Sequence, residues 1–342
     1  MPKKPVVKKI LIVKPSSLGD VVHSLPFLNA VHECFPDAEV HWVIAKGLEG
    51  LLDGHPMITR LIVINKDLWK KISRAGDTVR ELRQLYRDLR REHYDLVADL
   101  QGLLRSGLIT MATHATVRVG FSEAREGSRL FYTMKVKGGR GIHAVDRYMK
   151  MAAEIGCPAD RIAFPFPPKS SENGRIKTLL DGLGPYAVIV PGARWKTKIW
   201  PAENFGRVAA GLRVRSVVIG SSSDRGIADR VVVSSRGRAI SLAGETDLPE
   251  LIALMRTASL VITNDSGPMH IGAALNVPVV AVFGPTSPVQ TGPYGKDHII
   301  LQANEPCSPC FKRECADMKC MTNITPEKVL EKTEAILRKT GR

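Results

Sequence analysis

Leu260-Val-Ile-Thr-Asn-Asp-Ser-Gly-Pro-Met-His270 decides the fold class of this chain. The run Leu260–Thr263 is aliphatic and β-branched, as in a strand buried on both faces. It passes without a spacer into Asp265-Ser-Gly267 and then Pro268. Small polar residues at a cap and a proline in the first turn start a helix. A strand that feeds a helix this directly is one step of a β–α alternation. Such alternations build a parallel sheet covered by helices on both faces.

The same pattern extends in both directions. Around the quoted stretch, Ala187–Val190, Ser216–Ile219 and Val279–Phe283 read as further strands. Ala202–Leu212, Asp224–Val232, Leu248–Ala258 and Pro268–Leu275 read as helices. Earlier in the chain, Lys9–Val13, Glu39–Ala45, Arg60–Ile64, Asp95–Leu100 and Arg118–Phe121 read as strands. Ser17–Cys34, Thr78–His93 and Ala144–Ile155 read as helices, with Gly156 placed to end the last. Between the two series lies Phe164-Pro-Phe-Pro-Pro-Lys-Ser-Ser-Glu-Asn-Gly174, a proline-rich linker. A length of 342 residues fits two domains. The expected division is 1–165, a linker at 166–175, 176–325, and a closing helical segment at 326–342. The fold class is therefore α/β, two doubly wound Rossmann-like domains facing a central cleft. Ligands of such sheets lie beyond the carboxyl ends of the strands, so functional residues are sought there.

Composition narrows the function. The longest uncharged apolar stretch, Ile271–Gly284, is interrupted by Asn276 and Pro278. That is short of the ~20 residues a membrane-spanning helix needs. Six cysteines are too few for a disulfide scaffold of this length. The net charge of +15 calls for anionic partners. Its densest stretch, Lys66–Arg91, holds nine basic residues against four acidic ones. It reads either as a solvated helix face or as a patch facing an anionic membrane surface or an acidic substrate. No aromatic interleaving or nucleic-acid motif accompanies it, so no nucleic acid is expected. Ile10–Val13 is too short for the core of an export signal. The expected location is cytoplasmic.

Three loops after strands carry candidate chemistry. In Lys14-Pro-Ser-Ser-Leu-Gly-Asp20, Ser16, Ser17 and Asp20 can cap a helix, and Asp20 can also accept a proton from a substrate hydroxyl. At Asp265-Ser266-Gly267, the helix N-terminus offers unpaired N–H groups and a positive dipole end suited to a diphosphate, with His270 nearby. In Val190-Pro-Gly-Ala-Arg-Trp-Lys-Thr-Lys-Ile-Trp-Pro201, Arg194, Lys196 and Lys198 either neutralise a phosphate leaving group or form a solvated basic loop. Neither a P-loop nor a Gly-x-Gly-x-x-Gly fingerprint is present, which speaks against a kinase or a nicotinamide dehydrogenase.

Taken together, six segments resemble the heptosyltransferase family of lipopolysaccharide core synthesis (glycosyltransferase family 9). They are Ile10–Pro26, Asp99-Leu-Gln-Gly-Leu-Leu-Arg-Ser106, Ser122-Glu-Ala-Arg-Glu126, Lys198-Ile-Trp-Pro201, Asn264–His270 and Phe283-Gly-Pro-Thr286. The resemblance spans nearly the whole chain, and the opening segment is most similar to members that place the first heptose on the Kdo of Kdo2-lipid A. It implies a GT-B fold, an acceptor-binding first half and a donor-binding second half, with the last helix crossing back to the first. It implies Asp20 as general base, with Ser17, Arg105 and Arg125 toward the acceptor. Lys198, Arg194, Asp224, Asp265, Ser266, Gly267 and His270 would hold ADP-L-glycero-β-D-manno-heptose, with Asp224 at the ribose. It implies no cofactor and no metal for transfer. Where the family type often carries hydroxyl residues ahead of the phosphate lysine, this chain has Ala193 and Arg194. Alternatives are a family member with another core acceptor (heptosyltransferase II), a sugar-nucleotide epimerase on the same fold, and a two-lobed binding protein without catalysis.

Cys307-x2-Cys310-x4-Cys315-x4-Cys320 is compact enough for a tetrahedral zinc site, but only its first pair has a common ligand spacing. Structural metal, reduced thiols and opportunistic disulfides are the options here.

Overall fold

A computed structural model describes residues 7–65, 75–139, 141–168 and 174–339. The chain divides into two compact units, Met1–Pro168 and Lys169–Arg342. The polar part of the expected linker, 169–173, lies outside the described residues.

The first unit contains strands β1 (Lys9–Val13), β2 (Glu39–Ala45), β3 (Arg60–Ile64), β4 (Leu96–Asp99), β5 (Val117–Phe121) and β6 (Met134–Val136). Its helices are α1 (Leu18–His23), α2 (Leu25–Cys34), α3 (Ala75–Arg91), α4 (Leu104–Ala112) and α5 (Ala144–Glu154). The strands form one parallel sheet in the order β3-β2-β1-β4-β5-β6. The last four residues of β1 and all of β4 are buried, as a sheet covered on both faces requires.

In the second unit the strands are β7 (Tyr186–Val190), β8 (Arg215–Val218), β9 (Ala239–Ser241), β10 (Leu260–Asn264), β11 (Val279–Phe283) and β12 (Ile299–Gln302). The helices are α6 (Gly174–Leu179), α7 (Ala202–Gly211), α8 (Arg225–Ser234), α9 (Leu248–Thr257), α10 (Gly267–Ala274), α11 (Pro288–Thr291), α12 (Lys319–Thr322) and α13 (Pro326–Lys339). The sheet order is β12-β11-β10-β7-β8-β9, again all parallel. Counted within its own unit, each sheet has the same strand order, that of the Rossmann fold. Strand order therefore reverses between β1 and β4 in the first sheet and between β7 and β10 in the second.

One expected helix is two. Ser17–Cys34 breaks at Ser24, because Pro26 lacks an N–H and its ring cannot follow an unbroken turn. The Ser24 hydroxyl donates to the Asp20 carbonyl at 2.7 Å and satisfies one end of the break. The strands missing from the sequence reading, β6, β9 and β12, have three or four residues and lie at or next to sheet edges. Such short runs carry little periodicity. Helix α4 was also missed, because its interior Ser106, Gly107 and Thr110 blur the apolar period.

Helix α13 packs against α7, β10 and β11 of the second unit. Its Val329, Ile336 and Leu337 share one apolar cluster with Trp200, Val280 and Val282. The indole of Trp200 is fully buried and donates to the Ile324 carbonyl at 2.9 Å, which fixes the chain just before α13. Trp200→Ala removes that anchor and leaves a large cavity. We expect the unfolding free energy to drop by about 3–5 kcal/mol in urea titrations, the usual range for a buried tryptophan truncation.

Candidate active site

In the first unit the turn after β1 meets the turn after β4, at the point where strand order reverses. Lys14 follows β1 and is buried. Its Nζ donates to the Leu100 carbonyl at 3.2 Å, stands 5.2 Å from the centre of the Tyr148 ring and lies 3.9 Å from Oδ1 of Asp20. Burial opposes the ammonium charge, but Tyr148, Asp20 and Asp99 outweigh it and hold the Lys14 pKa above the usual lysine range. Asp20 sits in the first turn of α1. Its Oδ2 accepts from the Ser17 amide at 2.9 Å and from the Ser17 hydroxyl at 2.7 Å. Ser17, read as an acceptor contact, is thus engaged in fixing Asp20.

Asp99, at the end of β4, is fully buried. Its Oδ1 accepts from the amides of Gln101 and Gly102 at 2.9 and 3.0 Å, and the Tyr132 hydroxyl donates to Oδ2 at 2.6 Å. Burial pushes its carboxyl pKa up, against these donors, which favour the ion. Tyr132 reaches Asp99 by lying across β5 at Gly120, where a Cβ would fall 2.3 Å from the ring. The turn shaped by Asp99 leads to Arg105, which is exposed on α4. The Arg125 amide donates to the Gly102 carbonyl at 2.9 Å, and the Leu104 amide to Glu126 at 3.1 Å. These bonds clamp the segment of exposed Arg125 to the turn that opens toward Arg105.

Glu123 organises the far side of that clamp. Its carboxylate accepts from the amides of Gly138 and Gly139, each at 3.1 Å, and from the Ser122 hydroxyl. Burial works against the charge, but the amide donors prevail and lower the pKa from 4.5 to about 2. A carboxyl whose pKa is depressed on folding stabilises the fold above its unfolded value and loses that contribution as pH falls toward the folded value. Between pH 4.5 and 2 the native protein should therefore lose stability through this group. Glu123→Gln should show a smaller drop in melting temperature between neutral and acid pH, as thermal melts across that window will show.

In the second unit the turn after β7 meets the turn after β10. Asn264 ties the two: its side-chain amide donates to the Pro191 carbonyl at 2.7 Å, and its Oδ1 accepts from the Trp200 amide at 3.1 Å. The next residue, Asp265, is 6% exposed. Its Oδ2 accepts from Lys198 Nζ at 2.6 Å and from the Thr286 hydroxyl at 2.6 Å. Lys198 Nζ also stands 4.5 Å from the centre of the Trp195 ring, with the Arg313 guanidinium at 5.0 Å from it. Ser266 is the N-cap of α10 in extended conformation, and Gly267 opens the helix; His270 is buried in it. Arg194 and Lys196 are exposed on the same loop as Lys198.

Asp224 lies against the ends of β7 and β8. A Cβ on Gly192 or Gly220 would come within 2.7 or 2.8 Å of it, so both turns need glycine. Its Oδ2 accepts from the amide and hydroxyl of Ser221 at 2.8 and 2.6 Å. The structure thus brings Lys198, Asp265, Ser266 and Gly267 together. It places Asp224 beside the Gly192 turn of the same loop. Sequence reading gave no role to Thr286, Asn264, Trp195 or Arg313. A polar residue just after β11 was the available signal for Thr286.

The cysteine segment is strapped over this loop. The Thr197 hydroxyl donates to the Lys312 carbonyl at 2.9 Å, and the Phe311 amide to the Pro285 carbonyl at 2.7 Å. Cys307, Cys310, Cys315 and Cys320 are free thiols. Burial raises the Cys320 pKa, aided by the other three around it. Among the described residues no three His, Cys, Asp or Glu side chains converge as a metal site. Of the basic run Lys66–Arg91, residues 66–74 lie outside the described residues, and the rest forms α3. No helix among the described residues is long and apolar enough to cross a membrane.

A paired lysine and a helix start at the reversal point of a Rossmann sheet form a place suited to the phosphates of a nucleotide-linked ligand. The chain belongs to glycosyltransferase family 9, the heptosyltransferases, whose profile matches residues 82–321. It is 32% identical to lipopolysaccharide heptosyltransferase 1 of Pseudomonas aeruginosa, over 96% of this chain and 98% of that one. It is 26% identical to lipopolysaccharide heptosyltransferase 2 of Escherichia coli K12, over 96% and 98%. A family 9 glycosyltransferase from Veillonella parvula superposes with a TM-score of 0.83 at 26% identity, covering 97% of each chain. An Escherichia coli heptosyltransferase solved with ADP superposes with a TM-score of 0.77 at 26% identity, covering 96% of this chain and 99% of that one. The α/β fold is that of this family, GT-B.

Proposed function

We propose that the protein is an inverting glycosyltransferase that moves L-glycero-D-manno-heptose from ADP-heptose to the Kdo of Kdo2-lipid A, at the cytoplasmic face of the inner membrane. The observation that carries the reading is the 2.6 Å pair of Lys198 and Asp265 beside the start of α10. Asp265 and Thr286 set the direction of the lysine, and the first N–H groups of α10 lack partners within the helix. As the bond from the anomeric carbon to the diphosphate breaks, negative charge gathers on departing ADP. Lys198, Arg194 and the α10 N-terminus offset it, with Ser266 and Gly267 as the closest backbone and His270 behind them. Asp224 is assigned to the ribose. This supply of positive charge is why the reading assigns no metal or other cofactor to the step.

On the acceptor side, the Kdo hydroxyl oxygen bonds to the anomeric carbon while its proton passes to the Asp20 carboxylate. Ser17 and Lys14 hold that carboxylate in place. Arg105 and Arg125 are assigned to the acidic groups of the acceptor. The greater identity with the heptosyltransferase 1 relative supports Kdo over a heptose as the receiving sugar.

The test is ADP release from ADP-heptose. It should require Kdo2-lipid A, and release with an already heptosylated acceptor alone would move the assignment to heptosyltransferase II. Asp20→Asn should lower kcat by about 10²–10⁴, the usual weight of a general base, while ADP still binds by calorimetry. Lys198→Ala should lower kcat by about 10²–10³, as for other donors to a developing anion, and should weaken ADP binding as well. Native turnover in Asp20→Asn would refute the base.

A further inference from the structure

Among its described residues, the first unit carries an exposed apolar surface on α3 and α4. On α3, Leu85 and Leu89 turn inward toward the core cluster of Leu11, Val13 and Val97. Val79, Leu82 and Tyr86 form a second stripe beside that inward face and are 39–45% exposed. On neighbouring α4, Leu104, Leu108 and Met111 are spaced one turn apart and are 42–43% exposed. The two stripes adjoin, since the Tyr86 hydroxyl lies 3.1 Å from Nε2 of His114, just past α4.

Charge is sorted around these stripes. At 100° per residue, Arg83, Arg87 and Arg90 fall on the outer side of the Val79–Leu82–Tyr86 stripe. Glu81 and Asp88 fall on the opposite flank of the helix. All three arginines are exposed, and Arg90 donates to the Tyr86 hydroxyl at 3.0 Å. A two-fold contact with a second copy centred on these arginines would set like charges against one another. On α3, apolar side chains edged by cations, with that helix's own acids on the opposite flank, suit the headgroup layer of an anionic bilayer.

We propose that the α3–α4 face is the membrane-docking surface of this protein and that its partner is an anionic lipid bilayer. The inference rests on the peripheral-membrane part of the proposed function and names the surface responsible. It also gives α4 a purpose. This helix begins directly after the Asp99–Gly102 turn, so a bilayer on its exposed stripe lies next to the loop assigned to a lipid-linked acceptor.

The experiment is co-sedimentation of the full chain with vesicles of phosphatidylcholine alone or of phosphatidylcholine mixed with phosphatidylglycerol. The native protein should partition onto the anionic vesicles, less so at high salt. Arg83→Gln/Arg87→Gln/Arg90→Gln should lower the partition coefficient by about 100-fold, close to five-fold per arginine. Leu82→Gln/Leu108→Gln should lower it by about ten-fold or more. Val233→Gln, at an 81% exposed apolar position in the second unit, should leave it unchanged. Failure of the native protein to bind anionic vesicles overturns the proposal. So does native-like binding by both α3–α4 variants, or a dimer that both variants dissociate without affecting vesicle binding. Transfer to a deacylated, water-soluble acceptor is followed in the same preparations. Its loss in the native protein would count against the heptosyltransferase reading, whereas retention with no vesicle binding would sink only the docking surface.

Discussion

Everything in the second unit turns on one carboxylate. Asp265 follows β10 directly, is nearly inaccessible to solvent, and takes both an ammonium and a hydroxyl on the same oxygen. A lysine so held has lost the rotamers that would carry it into solvent. The loops after β7, β10 and β11 are therefore fixed to one another through side chains whose own positions the sheet dictates. Asn264 adds the neutral counterpart, bonding to both ends of the cationic loop. The result is a cation whose place is set by the protein alone, which is the condition for electrostatic preorganisation.

The first unit solves a similar problem with another chemistry. Its buried pair is Asp99 and Tyr132, and its buried cation, Lys14, faces a carboxylate that remains partly open to solvent. Gly120 is the concealed requirement of this arrangement. Without its bare backbone the Tyr132 ring could not cross β5, and Asp99 would lose its tyrosine donor. A residue without a side chain thus bears on the shape of the turn leading to Arg105.

Much of this was legible in the sequence. Buried β-branched runs such as Lys9–Val13 and Val279–Phe283 have the boundaries read for them, because a strand covered on both faces leaves a continuous apolar signature. Polar residues placed just after strands located Asp20, Lys198 and Asp265. What could not be read was partnership over long sequence distance. Lys198 and Asp265 are 67 positions apart, and Asp99 and Tyr132 are 33 apart; no local pattern reports such pairs. The break at Ser24 was legible from Pro26, but the apolar period continuing through Phe27 and Leu28 concealed it. Thr286 had the right address after β11 and no chemical feature to set it apart from an ordinary turn residue.

The repetition of one strand order in both units has an evolutionary consequence. Each half has its own sheet, its own core and its own reversal point. The turns after β4 and β5 can be redrawn while the Asn264–Asp265–Lys198 framework stays as it is. Diversification of one specificity against a constant other is what such a divided architecture permits.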